Sequence, residues 1–320
     1  MATPDFLPAD ELKALASEAE AVDFLYDALK SGVVDPESDA PRLFSPAPGG
    51  EFLLMPGCGT EYCGVKVITV APENPRRGKP KIQGVYVLVG SDDLTPRVLM
   101  DGPELTLLRT PAVSILAIRE LLRLGSRRPE GPLKVVVYGT GPQALRHMEV
   151  LDNVVGPIDA AVIGRRQEAV ARLVEQGSAA GLRVRSGTAD DVPSAAVVLT
   201  ATSSSTPVLD DALIAPDTVV AAMGAHGPQN AELPPELIRR ADVVVEGRAS
   251  AMREAGNLLA ARTAAEWADH PIANLADLVT GRLRRRAGVP AVFSGVGMAW
   301  EDLVVAAAIY EKYRKSHTRT

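Results

Sequence analysis

The segment that most constrains this chain is residues 133–144, in which the apolar run Lys134-Val135-Val136-Val137-Tyr138 leads directly into Gly139-Thr140-Gly141-Pro142-Gln143-Ala144. Glycines at this spacing arise often by chance and mean little alone. Here a near-continuous apolar strand enters the turn, and residues 143–151 leave it with helical character. Such a turn presents unpaired N–H groups and a helix N-terminus, a setting that favours a diphosphate. Alanine at the third glycine position, Ala144, is admissible because that position needs only close packing of helix on strand. The segment predicts the first βα unit of a dinucleotide-binding domain, with Gly139, Thr140, Gly141, Pro142 and Gln143 against the cofactor.

Further short apolar runs follow at 160–163, 182–184, 195–199, 219–223 and 243–245, separated by helical or loop segments. Runs of this kind suit a parallel sheet covered on both faces. At the end of the second strand stands Ile163-Gly164-Arg165-Arg166. NAD-specific proteins place a carboxylate there, about 20 residues beyond the glycines, to hold the ribose 2′-hydroxyl. Two guanidiniums in its stead suit a 2′-phosphate, so Gly164, Arg165 and Arg166 predict NADP(H) in preference to NAD(H), with NAD(H) as the alternative. Thr200-Ala201-Thr202 and Met223-Gly224 follow the fourth and fifth strands, where ligands of open α/β sheets lie, and are expected to flank the ribose and nicotinamide.

Outside this region the texture differs. Residues 8–30 carry one apolar stripe at helical period, closed by Gly32. From 42 to 101, short β-type runs broken by Pro, Gly and Asp predict an antiparallel sheet. Residues 104–124 read as a helix with Pro111 in its first turn or at a kink, and a final helix runs from 298 to about 315. Return of that helix to the first domain would make the domain discontinuous. The expected fold class is α/β: a Rossmann-type doubly wound parallel-sheet domain over 116–297, plus a discontinuous α+β domain from 1–115 and 298–320. A chain of 320 residues has room for both.

Composition excludes several functions. Hydrophobic residues at 46% and charged residues at 23% describe a globular chain, and a net charge of -6 gives no general attraction to nucleic acid or anionic membrane. No segment approaches about 18 continuous apolar residues, and no basic stretch with an apolar run opens the chain, so the cytoplasm is the expected location. The two cysteines, Cys58 and Cys63, lack a second pair, and the four histidines are scattered, so no metal is expected. The basic run Arg282-Leu283-Arg284-Arg285-Arg286 reads as a solvated helix end.

Taken together, these segments resemble the ornithine cyclodeaminase/mu-crystallin family over nearly the whole chain. The resemblance rests on Pro41-Arg42, Met55-Pro56, Lys66-Val67-Ile68-Thr69, Met100-Asp101-Gly102, Leu105-Thr106-Leu107-Leu108-Arg109-Thr110, and the glycine turn with Gln143-Ala144 and His147. It continues through Thr200-Ala201-Thr202, Gly224-Ala225-His226-Gly227-Pro228 before Glu232-Leu233, and Gly297-Met298-Ala299-Trp300-Glu301-Asp302. It implies a homodimer whose amino-terminal sheet and last helix form a substrate and dimerisation domain. It also implies hydride transfer between a nicotinamide and the α-carbon of a small amino or imino acid. By position, Arg42, Lys66 and Arg109 look like the cationic grip on the substrate carboxylate, with Lys66 near the reacting nitrogen and Arg109 also near the cofactor. A forked guanidinium that fixes a carboxylate aims the α-carbon.

Two departures matter. Cyclodeaminases and alanine dehydrogenases of the family carry an aspartate where this chain has His226, which counts against cyclodeamination. A histidine, with an ordinary pKa of about 6.5, is instead suited to protonate an imine nitrogen, so Lys66 and His226 are the catalytic candidates. Ser294-Gly295 stands where many relatives show Lys-Ser or Asp-Ser. The expected activity is NAD(P)H-dependent reduction of imino acids, either cyclic ketimines such as Δ1-pyrroline-2-carboxylate and Δ1-piperideine-2-carboxylate or a linear imino acid. Ornithine or lysine cyclodeamination, an alanine dehydrogenase-like activity, and non-catalytic binding of NADPH and an effector are the alternatives.

Overall fold

In the computed structural model, which describes residues 3–125, 130–224 and 227–317, strand β1 (Asp5–Leu7) is followed by two helices where one was expected. These are α1 (Ala9–Leu15) and α2 (Glu18–Ser31). The break falls at Ala16, whose backbone is extended, and at Ser17, whose hydroxyl accepts from the Glu20 N–H while Glu20 accepts from the Ser17 N–H. That reciprocal capping box starts a new helix inside a continuous apolar stripe. Gly32, at φ +73°, ends α2.

The alternating segment then forms β2 (Leu43–Ala47), β3 (Gly50–Cys58), β4 (Tyr62–Val70), β5 (Ile82–Gly90) and β6 (Pro96–Asp101). The sheet order is β1-β6-β5-β4-β3-β2, antiparallel throughout except for the parallel β1/β6 pair. Because side chains alternate across a strand, register decides which ones enter the core. Met55, Lys66, Tyr86 and Met100 lie abreast on four strands, and all four are buried. Lys66 thus occupies a core position of an otherwise apolar row.

Helix α3 (Gly102–Leu124) follows, with Pro111 in its interior, beyond the first turn. The chain divides within this helix into two compact units, Met1–Arg109 with Met298–Thr320, and Thr110–Gly297.

The second unit alternates strand and helix: β7 (Leu133–Tyr138), α4 (Pro142–Val154), β8 (Ile158–Ile163), α5 (Gln167–Ala179), β9 (Val184–Ser186), β10 (Val197–Thr200) and β11 (Val219–Ala222). Then come α6 (Pro235–Arg240), β12 (Asp242–Val245), α7 (Arg248–Glu254), α8 (Gly256–Leu259), α9 (Ala264–Asp269), β13 (Ala273–Asn274), α10 (Leu275–Val279) and β14 (Ala291–Ser294). The sheet order is β13-β12-β14-β11-β10-β7-β8-β9, with every pairing parallel. Val136, Val198, Val220 and Val292 pack with Leu237, Leu258 and Trp267 on one face. Val135, Val137, Leu199 and Phe293, of opposite parity, are equally buried, so both faces are covered. From β7 the order runs outward through β8 in one direction and β10 in the other. This makes the carboxyl ends of β7 and β10 a topological switch point, where ligands of such sheets bind.

Helix α11 (Ala299–His317) closes the first unit, packing on α2, β3 and β4. No helix among the described residues is long and apolar enough to cross a membrane.

Candidate active site

The glycine turn takes the conformation its residue types suggest. Gly139 sits at φ +127°, and a Cβ there would lie 2.4 Å from the Ala201 carbonyl oxygen, so only glycine serves. Gly141 is the N-cap of α4, with its first N–H groups unpaired by the helix itself, and a Cβ added to it would meet no atom within 4 Å. Ala144 is fully buried. Open space before a helix N-terminus, bounded by a glycine that permits close backbone approach, is a cradle that fits a dinucleotide diphosphate. His147, one turn further along, is fully buried, with Nδ1 2.7 Å from the Gln143 carbonyl oxygen. Burial pushes its pKa down to about 4, so it is a neutral packing residue.

The loops beyond β10 and β11 are tied together by a residue to which the sequence assigned no role. Glu232, fully buried, accepts from the Thr202 N–H at 2.7 Å, the Thr202 hydroxyl at 2.7 Å and the Gly224 N–H at 2.8 Å. Gly224 must be small for the same reason: a Cβ would lie 2.2 Å from the Thr202 carbonyl oxygen. Asn257 Oδ1 in turn accepts from the Glu232 and Leu233 N–H groups, and its Nδ2 donates to the buried Ser294 hydroxyl at 3.3 Å. Glu246, buried at the end of β12, accepts from the Val296 and Gly297 N–H groups. Two carboxylates therefore hold the backbone of three loops at the carboxyl edge of the sheet. Thr200 is buried, whereas Ala201, Thr202 and Met223 are partly accessible. Gly164 follows β8, and Arg165 and Arg166 beside it are exposed, their guanidiniums without a hydrogen-bond or ion-pair partner among the described residues. His226 lies outside the described residues.

In the first unit, Lys66 and Arg109 meet on two acidic side chains of α11. The Lys66 Nζ donates to Asp302 Oδ1 at 3.0 Å and lies 2.8 Å from Oδ2. The Arg109 Nε donates to Asp302 Oδ1 at 3.1 Å, and its Nη1 to Glu301 Oε2 at 2.7 Å. Glu301 and Asp302 are 0% exposed, and Lys66 and Arg109 only 2% and 5%. Asp39 fixes this end of α11 by accepting from the Ala299 N–H at 2.7 Å. Burial, together with the Arg109 charge, pushes the Lys66 pKa down to about 8, although Asp302 pulls it upward. Tyr86, beside Lys66 in the sheet row, stays protonated, because burial and the charges of Asp302 and Asp39 raise its pKa well above the ordinary value.

Arg42 is half-buried and precedes β2 by one residue. Extending the β2/β3 register brings it abreast of Met55 and Lys66, two strand spacings or about 10 Å from Lys66. The unassigned acidic residues carry a readable signal: Glu301-Asp302 interrupts an apolar helical run, and Glu246 ends the apolar run 243–245. Among the described residues, no three His, Cys, Asp or Glu side chains gather as a metal site.

The sequence pattern of the ornithine cyclodeaminase/mu-crystallin family matches residues 7–317. The chain belongs to that family. Δ1-pyrroline-2-carboxylate reductase 1 of Burkholderia multivorans is 32% identical over 306 residues, covering 94% of this chain and 93% of the relative. Among solved structures, an archaeal alanine dehydrogenase dimer with bound NAD superposes with a TM-score of 0.85 at 22% identity, covering 98% of this chain and 97% of the other. The Thermococcus litoralis Δ1-pyrroline-2-carboxylate reductase, solved with NADH and L-proline, gives 0.84 at 23% identity, covering 98% of both chains. These superpositions establish the fold, in both its parallel and its antiparallel sheet.

Replacing Glu232 by Ala leaves two loop N–H groups of the pinned backbone without their acceptor. The expected loss is about 1–3 kcal/mol of stability per unsatisfied buried group, read as a lower urea midpoint. An unchanged midpoint would show that Glu232 does not hold these loops.

Proposed function

We propose that the protein is an NAD(P)H-dependent reductase of α-imino acids. Its substrates are cyclic ketimines of the Δ1-pyrroline-2-carboxylate or Δ1-piperideine-2-carboxylate type, or a linear imino acid. The observation that carries this reading is the buried pair Lys66 and Arg109, two cations fixed by Glu301 and Asp302, one of them with a pKa brought near neutrality. The naming of the Burkholderia relative supports the same chemistry. When bound, the nicotinamide supplies the hydride that the C=N carbon receives. Gly139, Thr140, Gly141, Pro142 and Gln143 hold the diphosphate, and Thr200, Ala201, Thr202, Met223 and Gly224 the ribose and nicotinamide. Arg109 and Arg42 bind and orient the substrate carboxylate, which fixes the α-carbon for attack. Lys66, protonated below about pH 8, joins that grip and donates a proton to the substrate nitrogen. His226 is the second proton donor of the proposal.

The direct test is NADPH oxidation with the two cyclic ketimines, and with α-keto acids plus ammonia or methylamine. Turnover with at least one is expected, and its absence with all of them would overturn the reading. Because the Lys66 proton is present below pH 8 and lost above, kcat/KM for reduction should decline as pH rises through about 8. That limb should persist in His226→Ala and vanish in Lys66→Met. The reverse pattern would transfer the proton to His226.

NADP(H) is the preferred cofactor in this proposal, because Arg165 and Arg166 are exposed, uncommitted guanidiniums at the end of β8. Loss of a charged contact with a 2′-phosphate by Arg165→Ala should raise the KM for NADPH about tenfold or more and leave that for NADH unchanged. Equal effects on both cofactors would remove the arginine from 2′-phosphate recognition.

A homodimer belongs to the same proposal, built on the outer face of the six-stranded sheet. Leu54, Val67 and Val85 lie abreast there with Val65, Val87 and Leu99 beside them, all only half-buried, and Leu43 and Phe52 are 57% and 41% exposed. A contiguous apolar surface of this kind suits a second copy of the chain. Val67→Asp with Val87→Asp should give a monomer in sedimentation equilibrium, and an undisturbed dimer would place the interface elsewhere. The cytoplasm, expected from the sequence, is the location in the same proposal.

A further inference from the structure

The basic run 282–286 is neither a helix end nor simply solvated: it is an extended loop after α10 that lines a cavity of about 550 Å³ at the foot of β12 and β13. Asp242 and Ala273, the first residues of those strands, line it as well. Since every strand of this sheet is parallel, the cavity lies at the end opposite the glycine turn that follows β7.

Six arginines line it, Arg239, Arg248, Arg262, Arg282, Arg284 and Arg286, and with Asp242 and Asp277 in the lining and Glu236 paired to Arg239 the carboxylates number three. Arg248 and Arg282 share Asp277, and the Arg286 Nε pairs with Asp242 at 2.7 Å. Arg239 pairs with Glu236 at 3.4 Å, and it and Arg262 also donate to backbone. The Arg239 Nε donates to the Ala261 carbonyl at 2.9 Å, and the Arg262 Nη2 to the Arg239 carbonyl at 2.8 Å, with its guanidinium 4.9 Å from the Trp267 ring centroid. Arg284 is exposed and has no partner among the described residues. Converging like charges repel, and here five of the six side chains are held by hydrogen bonds or ion pairs while carboxylates are fewer than arginines. Forked donors held in advance suit phosphate oxygens and lose little entropy on binding, and the volume matches a small-molecule site.

We propose that this cavity binds a small polyanion carrying two or more phosphate groups, at a site separate from the dinucleotide turn. Inorganic pyrophosphate is the probe, titrated into the full-length protein and followed by calorimetry and by tryptophan fluorescence, to which Trp267 contributes. Saturable binding is expected, weakened at least about tenfold in Arg284→Glu, in line with loss of a charged hydrogen bond, and unchanged in Arg165→Ala. An Arg284→Glu thermal midpoint equal to the parent's would show that the fold is intact. A second variant, Arg262→Glu, should also bind weakly. Three results would overturn the proposal: no saturable binding, binding lost in Arg165→Ala but kept in Arg284→Glu, or citrate bound as tightly as pyrophosphate.

Discussion

The Asp302 carboxylate, shared between Lys66 and Arg109, is the interaction on which the first unit depends. It joins a strand residue, a residue of α3 and the last helix across more than 190 residues of sequence. Taking four charges out of water is costly, and the arrangement persists because each charge has an opposite partner in hydrogen-bonding contact. Removal of Asp302 would leave Lys66 buried without the carboxylate it donates to, a loss of about 3–5 kcal/mol in such pairs. Burial of Lys66 and the neighbouring Arg109 charge lower its pKa to about 8, and Asp302 and Glu301 oppose that shift.

The second unit solves a different problem with the same residue type. Loops at the carboxyl edge of a parallel sheet must present backbone to a ligand without collapsing onto it, and they have no ladder to hold them. Glu232 and Glu246 supply the missing acceptors from below, and Asn257 links Glu232 to the Ser294 hydroxyl. They accept from backbone N–H groups and from the Thr202 hydroxyl. They position backbone, and are distinct in that respect from Glu301 and Asp302, which position cations.

Much of the fold was legible because two periodicities are so clearly written. Near-continuous apolar runs marked β7, β8, β10, β11 and β12, and alternation over 42–101 marked an antiparallel sheet. The misses have local causes. A capping box at Ser17 and Glu20 divides a stripe whose hydrophobic period runs on undisturbed, and the two residues of β13 are too few to carry a pattern. Arg282–Arg286 looked like a helix end because α10 is only five residues long and stops at Val279.

By itself, the sequence determined the glycine turn and its strand-to-helix setting, since Gly139, Gly141 and Ala144 act through local backbone geometry and the strand and helix adjoining them. Lys66 was singled out through the family resemblance, and in the fold it is one of the alternate β4 residues turned inward. Only the tertiary structure decided what Lys66 and Arg109 meet there, because Glu301 and Asp302 reach them from the far end of the chain. It likewise decided that Glu232 ties Thr202 to Gly224, and that six arginines scattered over residues 239–286 line one cavity. Local pattern reports which way a side chain points, whereas burial, pKa and partners depend on contacts between segments distant in sequence.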